Sequence, residues 1–503
     1  MTYIVEESLA GRGDKIIGYS IGVDVYGKPQ SFDPNTDAVV RVEAGRLRRS
    51  LDKYYRGAGA EDPIEIVVPK GTYVPEFRYR THNRVITAQV TPPSSEELVS
   101  TARGPSIAIL PFENFSGNLD DQFFADGLTE ETIANLARFK DLFVFSRTTT
   151  SKMSREGADI QQMRDQLDVD FVVEGSVRKT TQLVRVTFQL IDAATDGHVL
   201  AESIDRACTP EGVFEIQDEI ATLIAGRIAD RHGPLGRHVS RARSAGISRR
   251  WTTYDLITRF YDYYATHSPE RHAEVRDGLE QALDQDQDSS DGHAALSIVL
   301  LDEYRLHINE RPNYPALSQA LSHAHVAVSS DPENAFAHKA LALAHYHSRQ
   351  FTEFRVSAER AVELNAGNAS VLADLGHSYW FLGDRERGLE LLDRALSLSP
   401  THPGWYHHAR ACELAIADRA EEAALEIKRG PMVGFIWHHA FLAWFYAEAG
   451  DLKSAAEEAN DLLAICPGFC SIVEEEFAIW CVHDAVRDAA VAGWRKAGLT
   501  IGE

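Results

Sequence analysis

Pro332, Ala366 and Pro400 stand 34 residues apart, and no other feature of this sequence restricts its fold as much as that interval. Thirty-four residues accommodate two short helices and two turns. Such a unit cannot bury its apolar face alone and must stack on copies of itself. From about residue 254 onward the chain reads as one helix after another. The clearest unit is 369–400. Leu375, Gly376 and Tyr379 fall on a first helix, Gly383-Asp384 makes the turn, and Gly388, Leu392 and Ala395 fall on a second helix closed by Pro400. The small residues let the helices approach, the large ones fill the seam, and proline, lacking an N–H, stops the second helix. Residues 436–467 repeat the pattern with Leu442, Ala443, Tyr446, Gly450-Asp451, Ala455, Ala459 and Pro467. Residues 335–368 follow through Leu341, Ala342, Ala358 and Ala361, although Phe354 replaces a small residue.

This period and its alternation of small and large residues resemble the tetratricopeptide (TPR) family. The resemblance implies an α-solenoid over 250–503 whose groove takes a protein or peptide. Weaker units are read at 254–287, 292–330 and 403–430, and one closing helix at about 471–497. Histidines are frequent (His323, His325, His345, His347, His407, His408, His438, His439), but none forms the HExxH pattern. They are expected in the groove or on the surface, with no metal. Five cysteines are few and odd in number, which suits a reducing compartment. Cys466 and Cys470 flank Pro467-Gly468, a helix end.

Between 104 and 233 the pattern changes to mixed strand and helix. Strands are expected at 107–112, 142–146, 170–177 and 183–191, the last two as a hairpin. Helices are expected at 123–139, capped by Asp126 or Thr129, and at 160–167 and 214–230. The phrases SIAILPFENFSG, FFADGLTEETIANLARF, VDFVVEGSVRK and VRVTFQLIDAATDGHVLAES resemble the TolB amino-terminal-like α/β domain. In bacterial regulators that domain accompanies winged helices, TPR arrays or adenylate cyclase modules. Asp120, Asp121, Asp126, Glu130 and Glu131 cluster near a helix start, where carboxylates complement the helix dipole.

The formal charge of −24 makes the whole chain a poor binder of polyanions. Residues 1–80, with 12 Lys/Arg and 12 Asp/Glu, are the neutral exception. There, 37–55 reads as a helix with Val40, Ala44, Leu47, Leu51 and Tyr54 on its core stripe. Two strands follow, at 64–68 and 73–77. A basic helix followed by such a pair resembles the OmpR-type winged helix-turn-helix, although relatives with this pattern begin with a further helix. The resemblance implies that Arg41, Arg46, Arg48, Arg49 and Lys53 face double-stranded DNA while Lys70 meets its backbone. The alternative is a docking module whose arginines pair with Asp33, Asp37 and Glu43.

The expected architecture is multidomain, α+β and all-α. It comprises a winged helix (1–80), a linker (81–103, with Pro92-Pro93-Ser94-Ser95), a TolB-like α/β domain (104–233) and a TPR solenoid (250–503). No P-loop, Rossmann glycine fingerprint or nucleophile elbow is present. The opening MTYIVEESLAG does not read as a signal peptide, and the most apolar stretch, 434–450, is broken by His438, His439 and Glu448. The expectation is a cytoplasmic one-component regulator without catalytic residues, cofactor or membrane contact, with DNA, a protein ligand and a second copy of itself as candidate partners. A scaffold without a DNA role is the competing reading. A part in cyclic AMP signalling is the third.

Overall fold

Helix stop and start signals become element boundaries in the computed structural model. It describes residues 2–9, 15–30, 32–34, 39–55, 64–69, 72–79, 104–116, 118, 121–180, 182–208, 212–245, 253–264, 266–432 and 434–502. The expected linker at 81–103 lies outside these residues. The chain divides into two compact units, Met1–Pro92 and Pro93–Glu503.

The first unit holds α1 (Thr2–Leu9), α2 (Gly18–Ser20) running into wider turns at Ile21–Val25, and α3 (Val39–Tyr55). Strands β1 (Ile64–Val67) and β2 (Glu76–Tyr79) pair antiparallel, with Ile64 opposite Tyr79. Ile4, Ile16, Ile21, Phe32, Val40 and Val68 form the core, and Leu47 and Leu51 pack against it. Two expectations shift. Tyr55 rather than Tyr54 is buried, because its hydroxyl accepts the Ile66 N–H at 3.0 Å while Tyr54 stays exposed. The second strand starts at Glu76 instead of 73, beyond Pro75, which cannot donate to a ladder.

The second unit begins with a mixed sheet. Its elements are β3 (Ser106–Ile109), β4 (Glu113–Asn114), α4 (Gln122–Leu136), β5 (Phe143–Val144), α5 (Arg147–Arg155) and α6 (Ile160–Leu167). Then come β6 (Phe171–Lys179), β7 (Leu183–Asp192), β8 (Gly197–Ala207), α7 (Val213–Ala229) and α8 (Pro234–Ala245). Strand order is β5-β3-β6-β7-β8, parallel across β5-β3-β6 and antiparallel thereafter. The strand expected at 107–112 stops at Ile109, short of Pro111, and a separate strand β4 follows beyond it; both pair with β6.

The twofold alternation of strands sorts side chains to the two faces. Ile107, Ile109, Phe171 and Val173 meet α4 and α7, while Ala108 and Val172 meet Met153 of α5 and Met163 of α6. Neither Asp126 nor Thr129 caps α4, which starts after Asp121. Thr129 is buried in mid-helix, where its hydroxyl donates to Ala125 O and accepts the Phe112 N–H.

The remaining helices form a solenoid. Its pairs are α9 (Thr253–Tyr264) with α10 (Pro269–Leu283), α11 (Ser290–Arg305) with α12 (Ala316–Ser330), and α13 (Ala335–His347) with α14 (Phe351–Leu364). They continue as α15 (Ala369–Leu382) with α16 (Arg385–Leu398), α17 (His408–Ile416) with α18 (Ala420–Ile427), and α19 (Ile436–Glu448) with α20 (Leu452–Ile465). Asn334 and Asn368, one repeat apart, cap α13 and α15 by accepting backbone N–H groups. First helices of successive pairs lie side by side, which is what makes the stack a solenoid.

Leu375, Gly376, Tyr379, Gly388, Leu392, Ala395, Leu442, Ala443 and Ala455 are all in the core. Tyr446 is half-buried beneath Lys428. Pro400 and Pro467 are exposed and act as stops just beyond α16 and α20. Phe354 does not disturb its repeat; it is fully buried between Tyr346 and Tyr379.

The single closing helix expected at 471–497 is instead two, α21 (Phe469–Ile479) and α22 (Asp484–Lys496). They part at Cys481, whose φ of 49° lies in the left-handed region. α22 packs on α19 as the next member of the stack, with Trp494 Nε1 donating to Ala440 O at 2.6 Å. The sheet region joins the solenoid through α7, where Leu223 packs against both cores and Ser399 Oγ donates to Asp230 at 2.7 Å. Among the described residues no helix is long and apolar enough to cross a membrane.

Candidate functional site

The basic helix α3 does not present its arginines alike. Arg41 is exposed. Arg46 is exposed and paired with Glu43 at 2.6 Å, one of the pairings considered for a docking module. Arg48 turns inward, donating to the carbonyls of Val68, Pro69 and Thr72 at 2.8–2.9 Å. Three carbonyls from one loop converge on one guanidinium, so Arg48 holds the β1–β2 connection in place, a task its fork of donors suits. The side chains of Arg49 and Lys53, and all of Lys70, lie outside the described residues.

The acidic cluster near α4 finds cations within the protein. Asp121 pairs with Lys179 at 2.9 Å, and Arg147 lies 3.0 Å from Glu130 and 3.6 Å from Asp126. Among the described residues, one group is spaced closely enough to ligate an ion, His439 with Glu458 and Asp461. His439 Nδ1 already meets Glu458 at 2.7 Å.

The inner wall of the solenoid is more unusual. Charges sit where first helices would carry apolar residues: Asp302 and Arg305 on α11, Lys339 on α13 and Asp374 on α15, all buried. Arg305 Nε donates to Asp302 at 2.6 Å and its Nη2 to Tyr264 Oη at 3.1 Å. Tyr264 donates to Asp374 at 2.6 Å, and Lys339 Nζ meets Asp374 at 2.8 Å. Two anions and two cations thus form one neutral network. Burial works against charge on Arg305, but Asp302, Tyr264 and Asp374 hold it protonated far above its ordinary range. Burial would also raise the Asp302 carboxyl, yet Arg305 beside it keeps it below its usual value.

Histidines expected in the groove or on the surface are largely inside, including His345, His347, His407, His408, His438 and His439; His323 is half-buried and His325 exposed. Burial lowers His377 to about 4, and burial with Arg305 nearby lowers His347 to about 3, so both are neutral near pH 7. They are enclosed because residues 476–483 lie on this wall. Tyr346 Oη donates to Trp480 O at 2.5 Å, Arg349 donates to Ala478 O at 2.9 Å, and the His483 N–H reaches Phe381 O at 2.8 Å. Trp480 also covers Arg305, its ring centre 5.4 Å from the guanidinium. Along this stretch the groove expected for a protein or peptide is filled by the chain's own carboxy-terminal segment. Polar residues inside apolar first helices, such as Lys339 in AFAHKALALAHYH, were the signal in the sequence for this wall.

Residues 102–223 match the second domain of HilA/YgeH-like transcriptional regulators. Over 253 residues, half of this chain, the sequence is 34% identical to putative adenylate cyclase 3 of Rhizobium meliloti (strain 1021). The chain spans 41% of that protein's length. Human IFIT1, solved as a dimer with m7Gppp-AAAA, is similar over 57% of this chain and 69% of its own, at 18% identity and a TM-score of 0.36. TolB from Acinetobacter baumannii is similar over 25% of this chain and 27% of its own, at 18% identity and a TM-score of 0.19. Scores this low establish no shared fold, and the solenoid stands on its own helix packing.

Proposed function

We propose that the protein is a cytoplasmic one-component transcriptional regulator. The observation that carries this reading is the match of residues 102–223 to the second domain of a regulator family, following a unit with a basic helix and a strand pair. In this reading the first unit is a winged helix whose α3 enters the major groove, with Arg41, Arg46, Arg49 and Lys53 toward DNA and Lys70 on its backbone. Residues 104–233 are a TolB-like domain passing on a signal, and the solenoid receives it through a protein partner or a small ligand. No step in this scheme needs a catalytic residue or a cofactor.

The test is binding of the purified protein to labelled fragments of its own upstream region across salt concentrations. Saturable binding that survives competitor DNA and weakens steeply with salt is expected. Neutralising Arg41 and Arg46 lowers affinity and flattens the salt slope, whereas Arg48→Ala loosens the β1–β2 loop and lowers the melting temperature of the first unit. Absence of DNA binding by a folded sample overturns the reading in favour of a scaffold. A second reading, a part in nucleotide signalling, is favoured by the identity to a putative adenylate cyclase. Cyclic AMP production by cells expressing a fused cyclase module, altered by changes in the solenoid, would support it.

A further inference from the structure

The first helices and the carboxy-terminal pair α21–α22 line a partly open void of about 90 Å³. Its wall is mainly aromatic, with Phe381, Trp405, Phe441, Phe477 and Trp494 among its members. Within that wall, five buried nitrogens have no hydrogen-bond partner: His267 Nδ1 and Trp480 Nε1, and, grouped on one side, His377 Nε2, Trp405 Nε1 and His408 Nε2. The last three belong to one cluster, since the His377 ring lies 5.9 Å from that of Trp405 and 6.5 Å from that of His408. Trp405 and His408 are 9% and 3% exposed, so bulk water does not supply the missing partners. Buried polar atoms are nearly always paired, and five exceptions beside one cavity call for a common explanation. An indole N–H can only donate, while a neutral imidazole donates from one nitrogen and accepts at the other.

The charges near the void are already spent on one another. Asp302 with Arg305 and Lys339 with Asp374 close their own network, so a charged guest would find no counter-charge and would lose its hydration. Volume sets the remaining limit. A cavity of about 150 Å³ lined by apolar residues takes up benzene, so this smaller one holds at most a single ring, and only if the side chains around it move apart.

We propose that this void is a binding site for a small neutral planar molecule, aromatic in body, with a hydroxyl or ring nitrogen at one edge to meet His377, Trp405 and His408. Residues 476–483 form one of its walls, so a guest there would touch α21–α22 as well as the first helices. The proposal does not depend on DNA binding, and its test contains no DNA.

The experiment is ligand titration of the full chain, followed by melting temperature and tryptophan fluorescence, with phenol, toluene and benzoate as probes. Phenol is expected to saturate and to bind about tenfold more tightly than toluene, the worth of one satisfied buried polar group. Benzoate is expected to be rejected. His377→Leu, close in volume, should erase the preference of phenol over toluene while leaving the far-UV circular dichroism unchanged. Ala490→Phe, which fills the void from α22, should abolish binding of both. Toluene binding as well as phenol, benzoate binding best, no saturable binding of any probe, or an unchanged preference in His377→Leu would each overturn the assignment.

Discussion

Replacing Lys339 by methionine tests whether the neutral network inside the solenoid is built as described. Lys339 is fully buried, with Nζ 2.8 Å from Asp374 and 3.3 Å from Ser370 Oγ, and it lies over the rings of Tyr264 and Phe336 at 5.4 and 5.0 Å. Methionine keeps the volume and most of the ring contacts. What is lost is the charge, leaving Asp374 buried with only the Tyr264 hydroxyl as a direct partner and Arg305 one group away. Breaking one side of a buried pair costs about 3–5 kcal/mol. Arg305 nearby places this case near the lower end, about 3 kcal/mol, a large part of the ~5–15 kcal/mol that holds a typical domain together.

Neutralising the partner as well, in Lys339→Met with Asp374→Asn, keeps an acceptor for Tyr264 and removes the stranded charge. About 2 kcal/mol should return, a coupling typical of contacting residues. Urea unfolding followed by circular dichroism and tryptophan fluorescence measures all four proteins in the cycle. A single variant within about 1 kcal/mol of the parent, or a double variant equal to the sum of the singles, would refute the network.

Two further predictions follow from packing and from burial. At Gly388 a Cβ would stand 2.7 Å from Gly376 O, Trp380 N and Trp380 Cβ, so Gly388→Ala forces α15 and α16 apart. The clash, about 1–3 kcal/mol, outweighs the ~1 kcal/mol that alanine gains in helix propensity, and denaturant midpoints should fall. His347 and His377, lowered by burial to about 3 and about 4, stay neutral in the fold while the unfolded chain takes up protons below its ordinary value of 6.5. Their contribution is therefore complete above pH 6.5 and is lost as pH falls, toward 4 for His377 and toward 3 for His347. Equilibrium unfolding against pH should show that loss, and His347→Gln should make it shallower.

Legibility in the sequence followed the range of the interactions. The helix 160–167 is read correctly to the residue, because Asp159 and Gln162 form a capping box that depends on neighbours alone. α5 was not anticipated; Ser146 caps it, but RTTTSKMSR carries a weak apolar stripe. The burial of His347 and His377 and the folding-back of the closing segment share one cause. Tyr346 and Trp480, 134 residues apart, meet through a backbone carbonyl that no local pattern marks.

The sequence by itself determined the repeat, the helix pairs with their stops at Pro400 and Pro467, and the small-against-large seam of Gly376, Gly388 and Leu392. Those features rest on periodicity and backbone stereochemistry within one or two turns of chain. Only the tertiary structure decided that Arg48 binds its own loop, and that residues 476–483 cover the inner wall and bury its histidines. Both outcomes depend on distant segments meeting in space, where burial changes what a charge or a ring nitrogen costs.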